Sequence, residues 1–352
     1  MSQPFRIGAS AGFKTFAPGT IEPVLARLVD PLPHVEWDYF DVDYGEPVQA
    51  EAVADFDGVI ALGSTYNAAT VGGGGRLICV ARWGVGYDMV DTAALTANHV
   101  LLTIAVDAVR KPVAEAIVTL ILALAKRVVA KDKLVRIGRW DLKMEVSGLG
   151  LSGKTVGSLG TGNIGGEMFR LLGPFDLGRR ITHDPYLDPQ RAAALNVELV
   201  SIEELFRESD FVAVNCPLSE ETRGLVDARL FALMKPSAFF INTARGPIVN
   251  QDDLVAALQS GAIAGAGLDV VEPEPLPVDH PLIELENVIL SPHALAWTDD
   301  LYELNGAMAC ESLLALFRGE IPAYPVNREV LGTEEFQAKL RGMAARWEAL
   351  TG

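Results

Sequence analysis

Residues 155–184 read TVGSLGTGNIGGEMFRLLGPFDLGRRITHD, and the fold is decided there. Thr155–Leu159 is a short apolar run that reads as a strand. It passes straight into Gly160-Thr161-Gly162-Asn163-Ile164-Gly165, and a helical pattern follows over Asn163–Leu172. Each glycine has its own reason: the first permits a tight turn, the second lets backbone approach a pyrophosphate, and the third lets helix and strand pack closely. The helix start adds free N–H donors and a partial positive charge. Glycine-rich turns are common, so the motif alone is weak; a strand, a helix and a downstream acid in agreement make it strong. That acid is Asp184, twenty-two positions after Gly162, ending a second strand at Arg180–His183. A carboxylate there accepts from the adenosine ribose hydroxyls and repels a 2′-phosphate, so the expected cofactor is NAD rather than NADP. Asp184 before Pro185 also fits a plain turn, and Arg179 or Arg180 is the residue that would receive a phosphate if the preference were reversed.

Working outward, further apolar strands are expected at Phe211–Asn215, Ala238–Asn242, Gly265–Asp269 and Val288–Leu290. Helices fall between them, one opened by a Ser201-x-x-Glu204 capping box and one over Gln251–Ser260. Strands alternating with helices imply a parallel sheet. The first hundred residues repeat the pattern on a smaller scale, with strands at Arg6–Ala9, Val35–Phe40, Gly58–Leu62 and Leu77–Ala81 and a helix at Ile21–Leu28. They read as a second α/β domain. Gly72–Gly75 is expected as a flexible turn, because no helix-opening Gly-Lys-Ser/Thr follows it. Pro112–Val128 is a strongly apolar helix pattern with Pro112 at its first position, suited to burial at a domain junction. A helix over Asp299–Arg318 and an amphipathic tail helix complete the chain.

The bulk numbers narrow the function. The chain has 352 residues, enough for two domains, with 49% apolar and 21% charged residues. Its net charge of -17 and the lack of a basic run argue against nucleic acid or an anionic membrane surface as partners. Cys79, Cys216 and Cys310 are widely spaced and form no metal-ligand pattern; they read as reduced thiols, and no metal is expected. The opening Met1–Ile7 lacks a signal layout, and the longest apolar run, Ala116–Ala125, is too short to span a bilayer. The expectation is a cytoplasmic enzyme acting on a small molecule.

Three later segments carry unusual polar residues beyond strand ends: Asn242–Gly246, Gly267–Pro275 and Ser291–His293. In parallel sheets, sites form beyond the carboxyl ends of strands. Hydride transfer at C2 of a keto acid needs a cation for the carboxylate and carbonyl, a proton donor, and a carboxylate that keeps the donor protonated. Arg245, His293 and Glu274 have those chemistries. Taken singly, each also fits a plainer role: a surface ion pair, a turn cap, a solvated loop acid.

With these motifs in order, the chain resembles the D-isomer-specific 2-hydroxyacid dehydrogenases, the family of phosphoglycerate, glycerate and D-lactate dehydrogenases. The matching text is Arg82-Trp83-Gly84-Val85-Gly86-Tyr87-Asp88, the glycine motif with His183-Asp184-Pro185-Tyr186, then Cys216-Pro217-Leu218-Ser219, Asn242–Gly246, Gly267–Pro275 and Ser291–His293. The resemblance implies two Rossmann-like or flavodoxin-like parallel-sheet domains with the active site in the cleft between them. It implies a substrate domain of residues 1–102 plus 300–330, an NAD domain of 103–299, and leaves 331–352 as the tail helix. A homodimer through the NAD domains is also implied. Arg245 is implied to bind the substrate carboxylate and carbonyl, His293 to be the acid/base, and Glu274, five residues after Asp269, to pair with His293. The Val85-Gly86 backbone is implied to hold the substrate carboxylate. Cys216, Pro217, Thr243, Ala244, Arg245, Asp269 and His293 join Gly160, Gly162, Asn163, Ile164, Gly165 and Asp184 around the cofactor.

The chain departs from the family pattern at three places. Asp88 is followed by Met89 rather than Asn, Val113-Ala114-Glu115 is preceded by Val109-Arg110-Lys111-Pro112, and His293 is followed by Ala294-Leu295-Ala296-Trp297. These leave the substrate open. Arg110 and Lys111 before a helix start at Pro112 oppose the helix dipole, which an anion, either the substrate or the cofactor's pyrophosphate, would relieve; this favours a polar acid larger than glyoxylate, such as a sugar acid or one with a second anionic group, read by Arg110, with Trp297 as an apolar wall. The alternatives are a glyoxylate or hydroxypyruvate reductase, an NAD-binding corepressor-like regulator on the same fold, and a formate- or phosphonate-type dehydrogenase. A histidine–glutamate pair speaks against the last.

Overall fold

The computed structural model describes residues 3–42, 45–73 and 75–352. Met1, Ser2, Asp43, Tyr44 and Gly74 lie outside the described residues, and with them part of the chain start and of the Gly72–Gly75 turn. Two compact units emerge: Met1–Val109 with Thr298–Gly352, and Arg110–Trp297.

The first unit is built on a parallel sheet of β1 (Phe5–Ser10), β2 (Val35–Phe40), β3 (Gly58–Ala61), β4 (Cys79–Arg82) and β5 (Leu101–Thr103), in the order β2-β1-β3-β4-β5. This is the flavodoxin-like order. The second unit holds β6 (Thr155–Leu159), β7 (Arg179–His183), β8 (Glu198–Leu199), β9 (Phe211–Val214), β10 (Phe239–Asn242), β11 (Gly265–Leu268) and β12 (Val288–Leu290). Its order is β12-β11-β10-β9-β6-β7-β8, again parallel, with the chain reversing direction across the sheet between β6 and β9. Both orders are doubly wound, so ligand sites are expected beyond the carboxyl ends of the strands.

Residue alternation decides which face each side chain serves. Phe211, Ala213, Phe239 and Ile241 enter one layer of the second core, and Val212, Val214 and Phe240 the other. The helix Val106–Lys126 covers the first layer with Ile117, Leu120, Ile121 and Leu124. It lies so close that a Cβ on Gly267 would sit 3.1 Å from Leu120.

That helix departs from expectation. It starts at Val106 rather than Pro112, with Asp107 in its first turn, and Pro112 lies inside it. Pro112 gives up the N–H that would bond to the carbonyl four residues earlier, and apolar packing on both sides of it outweighs that loss. Arg110 and Lys111 therefore do not stand at a helix N-terminus. The unit boundary falls at Val109/Arg110, inside this helix, and not at 102/103. The tail, expected as a separate segment at 331–352, clusters with the first unit. Its helix Glu334–Thr351 buries Phe336, Leu340 and Met343, and its Arg346 clamps Asp57, which is 1% exposed, through two hydrogen bonds of 3.0 and 2.7 Å. Arg76 and the Arg6 amide hold the same carboxylate. Strands β5, three residues long, and β8, two residues long, are additional to those the sequence predicts. Ser201 caps its helix through the Glu204 amide at 3.1 Å, but the Glu204 carboxylate turns to Arg179 instead of closing the box.

Candidate active site

The glycine turn forms at the reversal point of the second sheet. Gly160 has a φ of +89°, and a Cβ there would lie 2.8 Å from the Cys216 amide nitrogen, so the loops after β6 and β9 touch through backbone alone. A Cβ on Gly165 would meet the Gly160 carbonyl at 2.8 Å, which is the close helix–strand packing the motif requires. At Gly162 nothing lies within 4 Å of that position. Open space thus stands above the first turn of the nine-residue helix Asn163–Leu171, and a dinucleotide pyrophosphate fits there. Ile164 is half-buried behind it, and Asn163 is exposed.

Asp184 follows β7 and braces this turn. Its carboxylate accepts from the Thr161 amide at 2.7 Å and from the Tyr186 amide at 3.0 Å. The two basic residues of β7, the candidates to receive a 2′-phosphate, are occupied elsewhere: Arg179 binds Glu198 and Glu204, and Arg180 donates to the Gly173 carbonyl. Cys216 is half-buried, and burial pushes its thiol up to about 11, so it is not a nucleophile near neutral pH. Pro217 beside it is exposed.

The loops after β10, β11 and β12 are bound to one another. Asn242 turns back on its own loop: its oxygen accepts from the Ala244 amide at 3.0 Å and its nitrogen donates to the Arg245 carbonyl at 2.9 Å. Thr243, Ala244 and Arg245 project from this turn, half-buried. Asp269, 5% exposed, is the knot: it receives the Ser291 hydroxyl and the Ala294 and Leu295 amides, and its carbonyl accepts from the His293 amide at 2.8 Å. His293 is thereby held at a φ of 55°, a left-handed conformation seldom adopted by residues other than glycine. Such strain persists where surrounding bonds over-determine it.

His293 Nδ1 lies 2.8 Å from Glu274 Oε2, and the Val271 amide donates to the other Glu274 oxygen at 3.2 Å. Burial pulls the Glu274 carboxyl up, but the His293 bond and charge, the Val271 amide and the Arg245 charge together hold it below the usual carboxylate range. Nε2 of the imidazole is left to act on something else. Arg245 belongs to the same neighbourhood, and its turn is pressed on the Glu274 loop: a Cβ on Gly246 would come within 2.1 Å of the Val271 carbonyl.

Val85 and Gly86 lie in the other unit, half-buried in the loop after β4. Arg110 and Lys111 are exposed; Lys111 pairs with Glu115 at 3.5 Å. Arg170 chiefly, with Arg110 and Lys111 adding, holds the Glu167 carboxyl low, so protein carboxylates already answer both cations. No bound anion is needed to balance the charge at this spot. Trp297 is half-buried, in a turn closed onto Ala294. The sequence assigned no role to Asn242 or Ser291, which organise the site; an asparagine at a strand end followed by a small-residue turn was the available signal.

A doubly wound domain with this glycine turn, acidic residue and histidine–glutamate pair defines an NAD-dependent dehydrogenase. The chain belongs to the D-isomer specific 2-hydroxyacid dehydrogenase family: residues 118–294 match the family model of its NAD binding domain. It is 37% identical over 285 residues to a glyoxylate reductase of Korarchaeum cryptofilum, covering 80% of this chain and 86% of that one. It is 36% identical over 290 residues to glyoxylate/hydroxypyruvate reductase B of Citrobacter koseri, covering 80% and 88%. Among solved structures, the TT0316 protein from Thermus thermophilus superposes with a TM-score of 0.79 at 30% identity, covering 92% of this chain and 100% of that one. The protein is therefore an enzyme of this class, and the regulatory reading finds no support among these relatives. No helix among the described residues is long and apolar enough to cross a membrane.

Proposed function

We propose that the enzyme reduces short polar 2-keto acids of the glyoxylate and hydroxypyruvate type to D-2-hydroxy acids with NADH. The observation that carries the reading is the 2.8 Å His293–Glu274 pair beside Arg245, together with the reductases to which the chain is similar. Bound nicotinamide supplies the hydride to C2. Arg245 binds the substrate carboxylate and draws electron density from the carbonyl, and His293 Nε2 donates the proton that the C2 oxygen needs. Glu274 on Nδ1 fixes the tautomer and offsets the imidazolium charge. The Val85-Gly86 backbone of the first unit takes the carboxylate. Gly160, Gly162 and the Asn163 helix start hold the pyrophosphate, and Asp184 turns to the ribose. Cys216, Pro217, Thr243, Ala244 and Asp269 line the cofactor. The test is NADH oxidation with glyoxylate, hydroxypyruvate, pyruvate and phenylglyoxylate, with chiral analysis of the product. No turnover of any of the four, or an L product, would overturn the reading.

We also propose that two copies associate through the segment after the Val106–Lys126 helix. Val128, Val129, Val135, Ile137, Trp140 and Met144 are all exposed there, an apolar patch that a second copy would cover. Sedimentation of the wild type and of Trp140→Asp checks this; a wild-type monomer at micromolar concentration refutes it.

A further inference from the structure

Strand β4 ends on Arg82, and the loop that follows contains the two residues proposed above to take the substrate carboxylate. Among the described residues, neither the Val85 N–H nor the Gly86 N–H makes a hydrogen bond within the protein. Two consecutive half-buried amides with no internal acceptor form a concave pair of donors suited to an anion. Their aim depends on the peptide planes around them, because a trans peptide points its C=O and N–H in opposite directions. The plane that carries the Val85 N–H is fixed by the Gly84 carbonyl, which accepts from the Ala105 amide at 2.9 Å. Gly84 itself needs its φ of +130°, a conformation that disfavours side chains even though a Cβ would find open space.

The peptide that carries the Gly86 N–H lies between the plane of the Val85 N–H and the next one, whose Gly86 carbonyl accepts from Arg82 Nε at 2.9 Å, so the chain is held on both sides of it. The same guanidinium donates from Nη1 to the Ala61 carbonyl at 3.2 Å, at the last residue of β3. One rigid fork therefore ties the loop after β4 to the neighbouring strand. The buried phenol of Tyr66 lies close enough to feel the Arg82 charge; burial pushes that hydroxyl well above its usual range and the guanidinium acts against it. A water molecule in place of the guanidinium would have neither the span nor the charge.

We propose that Arg82 is a positioning residue for the substrate carboxylate: by holding the Gly86 carbonyl it sets the Val85 and Gly86 amides as a preorganised carboxylate cradle. It touches neither the reacting carbon nor the cofactor. The proposal rests on the reading that these amides receive the carboxylate. Loss of a charge-assisted hydrogen bond and of loop preorganisation corresponds to roughly 10- to 100-fold in affinity for the anion.

The test measures inhibition by oxamate, which carries a carboxylate, and by oxamide, which does not, in the wild type, Arg82→Lys and Arg82→Ala. Lysine keeps the charge but lacks the fork. The ratio of the two inhibition constants should fall about 10- to 100-fold in both variants. KM for the keto acid should rise by a similar factor, with kcat at saturation nearly unchanged. Low concentrations of guanidinium should restore Arg82→Ala in part. The dissociation constant of NADH, read by fluorescence, should not move. An unchanged ratio in Arg82→Lys, or a loss of NADH affinity equal to the loss of oxamate affinity, overturns the role of Arg82. A wild type that binds oxamate no better than oxamide overturns the cradle reading itself, and Arg82 with it.

Discussion

Replacing Glu274 by glutamine tests the acid–base assignment directly, because the amide keeps the shape of the carboxylate and removes its charge. The pair is 2.8 Å apart between Nδ1 and Oε2, with the His293 side chain 42% and the Glu274 side chain 36% exposed. Half-exposed charges interact through a dielectric well above that of a dry core. At about 4 Å between charge centres and an effective dielectric of roughly 40–80, the attraction is about 1–2 kcal/mol. At about 1.36 kcal/mol per factor of ten, this is about tenfold in rate where the attraction is needed. Glu274 is held below the usual carboxylate range, so it stays ionised throughout the working range and does not itself shape the profile. Keto-acid reduction needs the imidazolium, so kcat/KM falls as pH rises. Without the carboxylate the protonated ring loses that attraction, so the variant should lose most activity at high pH. The assay is kcat/KM for glyoxylate with NADH from pH 5 to 10 in the wild type and Glu274→Gln. At the alkaline end the variant should be about tenfold slower, and at the acid end nearly equal. A profile that keeps its position, or one that drops equally at every pH, would refute the pairing as the source of the effect. The same depression has a stability sign: the contribution of Glu274 is present above the ordinary glutamate pKa and is lost as pH falls through its lowered value.

Asp57→Ala leaves Arg76 and Arg346 facing each other in a partly buried site, so the full chain should lose about 3–5 kcal/mol in urea unfolding; a loss under 1 kcal/mol would mean the clamp is incidental. Gly246→Ala forces a Cβ against the Val271 carbonyl and should lower kcat/KM by about 10²-fold while far-ultraviolet circular dichroism is retained. Asp184→Ala should shift the ratio of kcat/KM for NADH over NADPH by about tenfold towards NADPH, and an unchanged ratio would remove Asp184 from the ribose. Arg110→Ala should leave the order of preference among glyoxylate, hydroxypyruvate and dianionic keto acids as it is, since Glu167 and Glu115 already answer the local charge; a selective rise in KM for larger acids would restore Arg110 as a reader of the substrate.

The sequence by itself determined the two parallel sheets and the cofactor turn, and it singled out Arg245, Glu274 and His293, on which the proposed chemistry rests. Those features are local: a glycine pattern between a strand and a helix, short apolar runs between turns and helices, and an acid at a fixed distance from Gly162. They are carried by chemistry within a few positions of each residue, so they survive without knowledge of the partners. Other features are decided by a neighbour in space that is remote along the chain. Pro112 looked like a helix start because a proline without an N–H suits that position, yet the helix runs through it from Val106, supported by apolar packing the sequence does not display. The tail looked detached because the carboxylate that holds Arg346 is Asp57, 289 positions away. The left-handed His293 follows from Asp269 gathering the 291–295 loop. The brace on Gly86 needs Arg82 and Ala61 side by side on adjacent strands. Hydrogen bonds between distant segments fix orientation to within tenths of an ångström, and only the tertiary structure specifies which distant segments meet.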